Sequence, residues 1–266
     1  MKGVCQGQDI NSECALFASD SILELTLVLD LDSVLKYTDE EPDYQSARLM
    51  YKKPGKEGVI DMEIQVRPRG RFRRKPEHCN FPPLKMKFNK SDRQGTIFED
   101  LKDVKLVTHC QTDQEEYEQY LLEEYLIYKA YNIFTDFSFK VRLARITYIN
   151  AISREDTLKR YAFILENAEH MAKRNKCELL ELEAVPPAEL DRDHYILMSL
   201  FNYMILNTDY SVPIVHNIEL LIHDHFSPPI PVPYDFDWSG IINIPYESAY
   251  AATKEKFSGR QYKGPC

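Results

Sequence analysis

The run QEEYEQYLLEEYLIYKAYNI, residues 114–133, is where the chain changes period. Tyr117, Leu121, Tyr125 and Tyr128 fall at three- and four-residue spacing, the mark of an amphipathic helix. Before it the pattern is that of strands. ILELTLVLDLDSV (22–34) and GVIDMEIQVRPRG (58–70) alternate apolar and polar residues, and PPLKMKFNK (82–90) sets Leu84, Met86 and Phe88 against Lys85 and Lys87. DVKLVTHC (103–110) predicts a further strand, and ARLMY (47–51) a short one within the polar stretch 38–57. After the helix, FKVRLARITYIN (139–150) and RYAFILEN (160–167) have the form of a hairpin. Beyond Glu166 the pattern reads as mostly helical, most clearly in DRDHYILMSLFNYMIL (191–206), with VHNIELLIH (215–223) and IPVPYDFDW (230–238) as a pair of short strands. This order predicts an α+β chain of two lobes, sheet-rich over 18–166 and mainly helical over 167–266. A cleft between two such lobes is a common place for a ligand.

The bulk numbers narrow the function. A formal charge of -9 argues against a general nucleic-acid binder, so any anion site must be a local basic cluster in an acidic field. No stretch reaches the ~20 consecutive apolar residues of a membrane helix. The six cysteines, Cys5, Cys14, Cys79, Cys110, Cys177 and Cys266, show no CxxC spacing. His78-Cys79 and His109-Cys110 invite a zinc reading, but neighbours on a strand point to opposite faces, which favours a Cys79–Cys110 disulfide or two buried thiols.

The chemistry gathers in two segments. NTDYSVPIVHN (207–217) offers Asp209 and Asn217 on a loop, and PYDFDWSG (233–240) places Asp235 and Asp237 among aromatic rings. Two carboxylates among rings are tolerable where a cation neutralises them. An all-oxygen set of this kind suits Mg²⁺ or Mn²⁺ beside substrate phosphates, and phosphoryl transfer needs a base, metal ligands from Asn and Asp, and cations on the phosphates. RPRGRFRRK (67–75) concentrates six cationic residues in nine; Arg69, which enters the turn, is the candidate phosphate contact. Glu124 lies among apolar helix positions, where an unpaired carboxylate is costly and a cationic partner is expected.

LNTDYSVPIVHNIELL followed by PIPVPYDFDWSG resembles the active-site segment of the CotH-type spore-coat kinase family, an atypical protein-kinase-like fold. RPRGRFRRKPEHCNFPPLKMKF is similar to that family's R-G segment and Lys-bearing strand, and YAFILEN to its interlobe strand ending in Glu. The resemblance implies a kinase-like sheet-rich N-lobe with one helix, a helical C-lobe, and an ATP- and Mg²⁺- or Mn²⁺-dependent phosphotransferase acting on a protein or other hydroxyl. Asp209 would be the base; Asn217 and Asp235 would hold the metal, with Asp237 sharing or supporting that role. Glu166 would lie beside the adenine. Lys87, or Lys85 on the same face, would reach the phosphates, and a Lys87–Glu124 ion pair would hold both side chains. There is no GxGxxG loop, so other groups must cover the phosphates. The same residues suit nucleotidyl transfer, and a non-catalytic surface module is the contrasting expectation. Relatives of this kind point to an exported or envelope protein that has lost its leader, with the cytoplasm second.

Overall fold

The computed structural model describes residues 14–36, 42–53, 57–70, 72–153, 157–242, 244 and 261–265. Seven strands close on themselves in the order β1-β2-β3-β4-β5-β7-β6. They are β1 (Leu23–Leu29), β2 (Gln45–Lys52), β3 (Val59–Pro68), β4 (Leu84–Phe88), β5 (Asp103–Val107), β6 (Val141–Asn150) and β7 (Thr157–Leu165). Each predicted strand of this region is present, and β6 and β7 form the expected antiparallel hairpin. Closure comes from β1 lying parallel to β6, with Leu23 opposite Ala144 and Leu29 opposite Asn150. A closed barrel leaves no free edge.

The two-lobed, kinase-like fold with a mainly helical C-terminal lobe is therefore corrected: the chain is a closed seven-stranded mixed β-barrel with few helices. Among the described residues after Leu165 there are only two α-helices, α4 (Ala168–Arg174) and α5 (Arg192–Met204), and one 3-10 turn at Pro187–Glu189. The rest of that region is loop and a three-stranded sheet of β8 (Glu178–Leu179), β9 (Ile218–Ile222) and β10 (Ile230–Pro233). The physical reason lies in the long pairing of β1 with β6. Alternation shows which face of a strand is buried, but not which strand is its neighbour. The shorter helices α1 (Leu31–Leu35) and α2 (Lys90–Arg93) follow β1 and β4, and α3 (Glu116–Phe134) is the helix predicted at 114–133.

Two cores result. Inward-facing residues of the strands, among them Leu27, Leu49, Val66, Met86, Leu106, Tyr148 and Ile164, fill the barrel. The end of β7 is buried on both faces. Ala162 and Ile164 point into the barrel, whereas Phe163 and Leu165 join a second core with Tyr128 of α3, Phe201 of α5, Val232 of β10 and Phe236. That second core seats α3 and the small sheet on the outside of the barrel. Cys79 and Cys110 form a disulfide. Burial pushes the neighbouring His109 down to about 3, so it is a neutral core imidazole.

Candidate functional site

β9 and β10 are antiparallel, with Ile218 opposite Pro233. The residue before one strand and those after the other are therefore brought to the same end of the ribbon. Asn217 precedes β9, Tyr234 and Asp235 follow β10, and the Tyr234 N–H donates to the Asn217 carbonyl at 3.1 Å. Asn217 and Asp235 both have left-handed backbone, with φ of 54° and 61°. Non-glycine residues held there are strained and gather at functional sites.

The 207–217 loop brings Asp209 to the same place. The Asn217 amide nitrogen donates to the Asp209 carbonyl at 2.7 Å and to its Oδ2 at 3.0 Å, and His216 Nε2 lies 3.3 Å from Oδ1. Two acceptors on Asp209 fix the amide's orientation and leave Asn217 Oδ1 free of hydrogen bonds among the described residues. Burial raises the Asp209 carboxyl above its ordinary range against the pull of His216, and the negative charge of Asp235 adds to the rise. Gly240 ties the two segments together. Its N–H donates to the Leu206 carbonyl at 3.0 Å, and a Cβ there would stand 2.7 Å from the Leu206 Cβ. Lys263 donates to the carbonyls of Thr208 and Tyr210 at 2.8 and 2.9 Å, bracing the loop from below.

The basic turn after β3 supplies the cations. Arg73 reaches Asp235 at 3.2 Å, Asp237 at 3.5 Å and Glu124 at 3.9 Å. Glu124 does need a cation, but its partner is Arg73; no ion pair joins it to Lys87 among the described residues. Lys87 instead lies 5.2 Å from the Tyr44 ring, because the turn between β3 and β4 carries Arg73 to Glu124 of α3 while Lys87 stays on the barrel wall. Lys85 pairs with Asp103 at 3.3 Å. Burial first, then the neighbouring acids Asp237 and Asp235, push Glu124 well above the carboxylate range, with Arg73 opposing them. Tyr128, one turn along from Glu124, accepts the Asp235 N–H at 2.8 Å. Asp237 is buried, whereas the Asp235 side chain is 44% exposed and the freer of the two to take a ligand.

Glu166, expected beside an adenine, has its side chain tied up within the fold. The carboxylate is fully buried and saturated by Arg174 Nε at 2.9 Å, His170 Nδ1 at 2.5 Å and the Lys140 N–H at 2.9 Å. Burial alone would raise it; the His170 and Arg174 hydrogen bonds hold it below its ordinary range. The Cys14 sulfur, then the Glu166 carboxylate, push His170 up to about 9. A histidine raised above its unfolded value of ~6.5 adds stability that is complete below that pH and lost as pH rises through the folded value. The expected result is a melting temperature that declines from pH 6.5 to about 9, and a His170→Gln variant whose melting temperature lacks that slope.

Arg73, Tyr128, His216 and Lys105 were missed by sequence reasoning. The signals were faint: Arg73 lay inside a basic run, Tyr128 four residues after Glu124, His216 beside Asn217, and Lys105 on the polar face of a predicted strand. Among the described residues, no group of three or more His, Cys, Asp or Glu side chains is arranged to hold a metal ion. A metal here would need the Asn217 oxygen and a phosphate to complete its shell. A separate cleft beside α3, lined by Phe17, Asp20, Lys129 and Ile133, shares none of these residues. No protein-family model matches the chain, and no curated protein matches it.

Proposed function

We propose that this protein is an ATP-dependent phosphotransferase acting on a hydroxyl, on a protein or another acceptor. The observation that carries this reading is the meeting of Asp209, Asn217 and Asp235 at one end of the β9–β10 ribbon, two of them on left-handed backbone. The likeness of both segments to the CotH-type kinases supports it from sequence. Asn217 Oδ1 and the exposed Asp235 carboxylate would hold Mg²⁺ or Mn²⁺, which would neutralise charge on the transferring phosphates. Asp209, fixed by Asn217 and raised by burial, would orient the acceptor hydroxyl and take its proton. Arg69 would face the phosphates, and Asp237 would act through Arg73 by keeping that guanidinium in place.

One observation favours a second reading. Arg73 already bridges Asp235, Asp237 and Glu124, and a resident cation of this kind is what a non-catalytic binding module would use to neutralise its acids. Labelled nucleotide decides. With Mn²⁺ and a mixed protein acceptor, label from the γ-phosphate is expected to appear on the acceptor or on the chain itself. Transfer of the α-phosphate instead would make the chemistry nucleotidyl transfer, and no transfer of either would leave the binding module.

A further inference from the structure

Four cationic side chains share the outer face of the barrel at the site: Arg67 on β3, Arg69 two residues beyond it, Lys85 on β4 and Lys105 on β5. Register puts Arg67 opposite Lys85, and Lys85 opposite Lys105, so these three lie in one row, with Arg69 beside it, two residues beyond Arg67 and bonded to Pro83. Two of them are occupied. Arg67 stands 4.8 Å from the Tyr44 ring and donates to the Pro42 carbonyl at 3.3 Å, and Lys85 pairs with Asp103. The other two are not. The Arg69 backbone N–H donates to the Pro83 carbonyl at 2.8 Å, but its guanidinium makes no hydrogen bond or ion pair among the described residues. The same holds for the Lys105 ammonium, whose described contact is the Tyr234 ring at 5.7 Å.

Arg69 and Lys105 are both half-buried, and charges drawn partly out of water are normally paired, because removing an ion from water without a partner is costly. Of the nearby acids, Asp235 and Asp237 are engaged by Arg73 and Asp103 by Lys85, while Glu219 attracts Lys105 without reaching ion-pair distance. We propose that Arg69 and Lys105 form an anion site that takes a phosphate group, at the rim of the Asp235 carboxylate. Two unpaired cations match the double negative charge of a phosphate, and the arginine fork matches its oxygens. The electrostatics agree. Burial lowers Arg69 from its ordinary range, and burial together with the neighbouring Arg69 lowers Lys105 to about 8, both of which a bound anion would reverse. This assignment deepens the phosphotransferase reading and rests on it only for the molecule that carries the phosphate.

Pyrophosphate titrated calorimetrically into the full chain, with divalent metals chelated, tests it. Wild type is expected to bind, and Arg69→Gln and Lys105→Met each to weaken binding at least tenfold, with fold checked by circular dichroism. Lys36→Met, which removes an exposed charge paired with Asp32 on α1, is expected to bind as wild type does. Lys105→Arg, which keeps the charge, is expected to retain most of the affinity. Absence of binding to wild type, or unchanged binding in both Arg69→Gln and Lys105→Met, overturns the site. Pyrophosphate binding that depends on both residues in a chain that transfers no label keeps the anion site and removes the phosphotransferase. Label transfer with pyrophosphate binding indifferent to both residues does the reverse.

Discussion

If the proposed phosphotransfer is the reaction, Asp209→Asn is expected to lower transfer to the acceptor by ~10²–10⁴-fold, the usual contribution of a positioned general base, while Mn²⁺–nucleotide binding is expected to stay close to wild type. The asparagine keeps an oxygen for the Asn217 amide that now bonds Oδ2 at 3.0 Å, so the loop has no reason to move. What disappears is the capacity to take a proton. The metal-side groups, Asn217 Oδ1 and Asp235, are untouched, which is why binding and turnover separate. Assay of label transfer beside a nucleotide titration measures both. Full turnover in Asp209→Asn removes the base assignment and leaves the remaining roles standing.

Arg174→Met destabilises the fold by about 3–5 kcal/mol at neutral pH, the range found when one partner of a buried ion pair is removed. The methionine fills much of the volume but leaves Glu166, fully buried, without the guanidinium that holds both of its oxygens. The Asp136 and Ser138 carbonyls lose donors in the same step. His170 remains as a partner, so the chain is expected to fold with a lower urea midpoint rather than to collapse. A loss below about 1 kcal/mol, the range of an exposed pair, would show that the Glu166 network is looser than its geometry.

Much of the strand content was legible because alternation is a local signal. β1, β3, β4 and β5 could be read from LELTLVL, VIDMEIQVRP, LKMKF and DVKLV, each with one polar and one apolar face. Closure of the barrel was not, since the Leu23–Ala144 pairing joins residues far apart in sequence and leaves no mark in either strand alone. The helical C-terminal lobe was overestimated for a related reason. Short apolar runs serve helix and strand alike until a partner strand settles the choice, as β9 does for Glu178–Leu179.

At the site, the positions of Asp209, Asn217 and Asp235 were legible because a short antiparallel ribbon necessarily returns its ends to one place. The cations were not. A buried Glu124 rightly demanded a partner, but choosing it required the path of the chain after β3, since the six cationic residues of 67–75 start from equivalent footing in the sequence. Only folding shows that Arg73 turns inward, and that Arg74 is spent on the Gly70 carbonyl at 2.6 Å.

The central claim is that Asp235 and Asn217 present oxygens to a divalent ion and a nucleotide despite the guanidinium of Arg73 beside them. A thermal-shift titration of the full chain with Mn²⁺ and ATP measures this, because a ligand that binds only the native state raises its melting temperature. Wild type is expected to gain a concentration-dependent rise that requires both metal and nucleotide, and Asp235→Ala to show none. A wild type that does not respond, or an Asp235→Ala variant that responds equally, would contradict the claim.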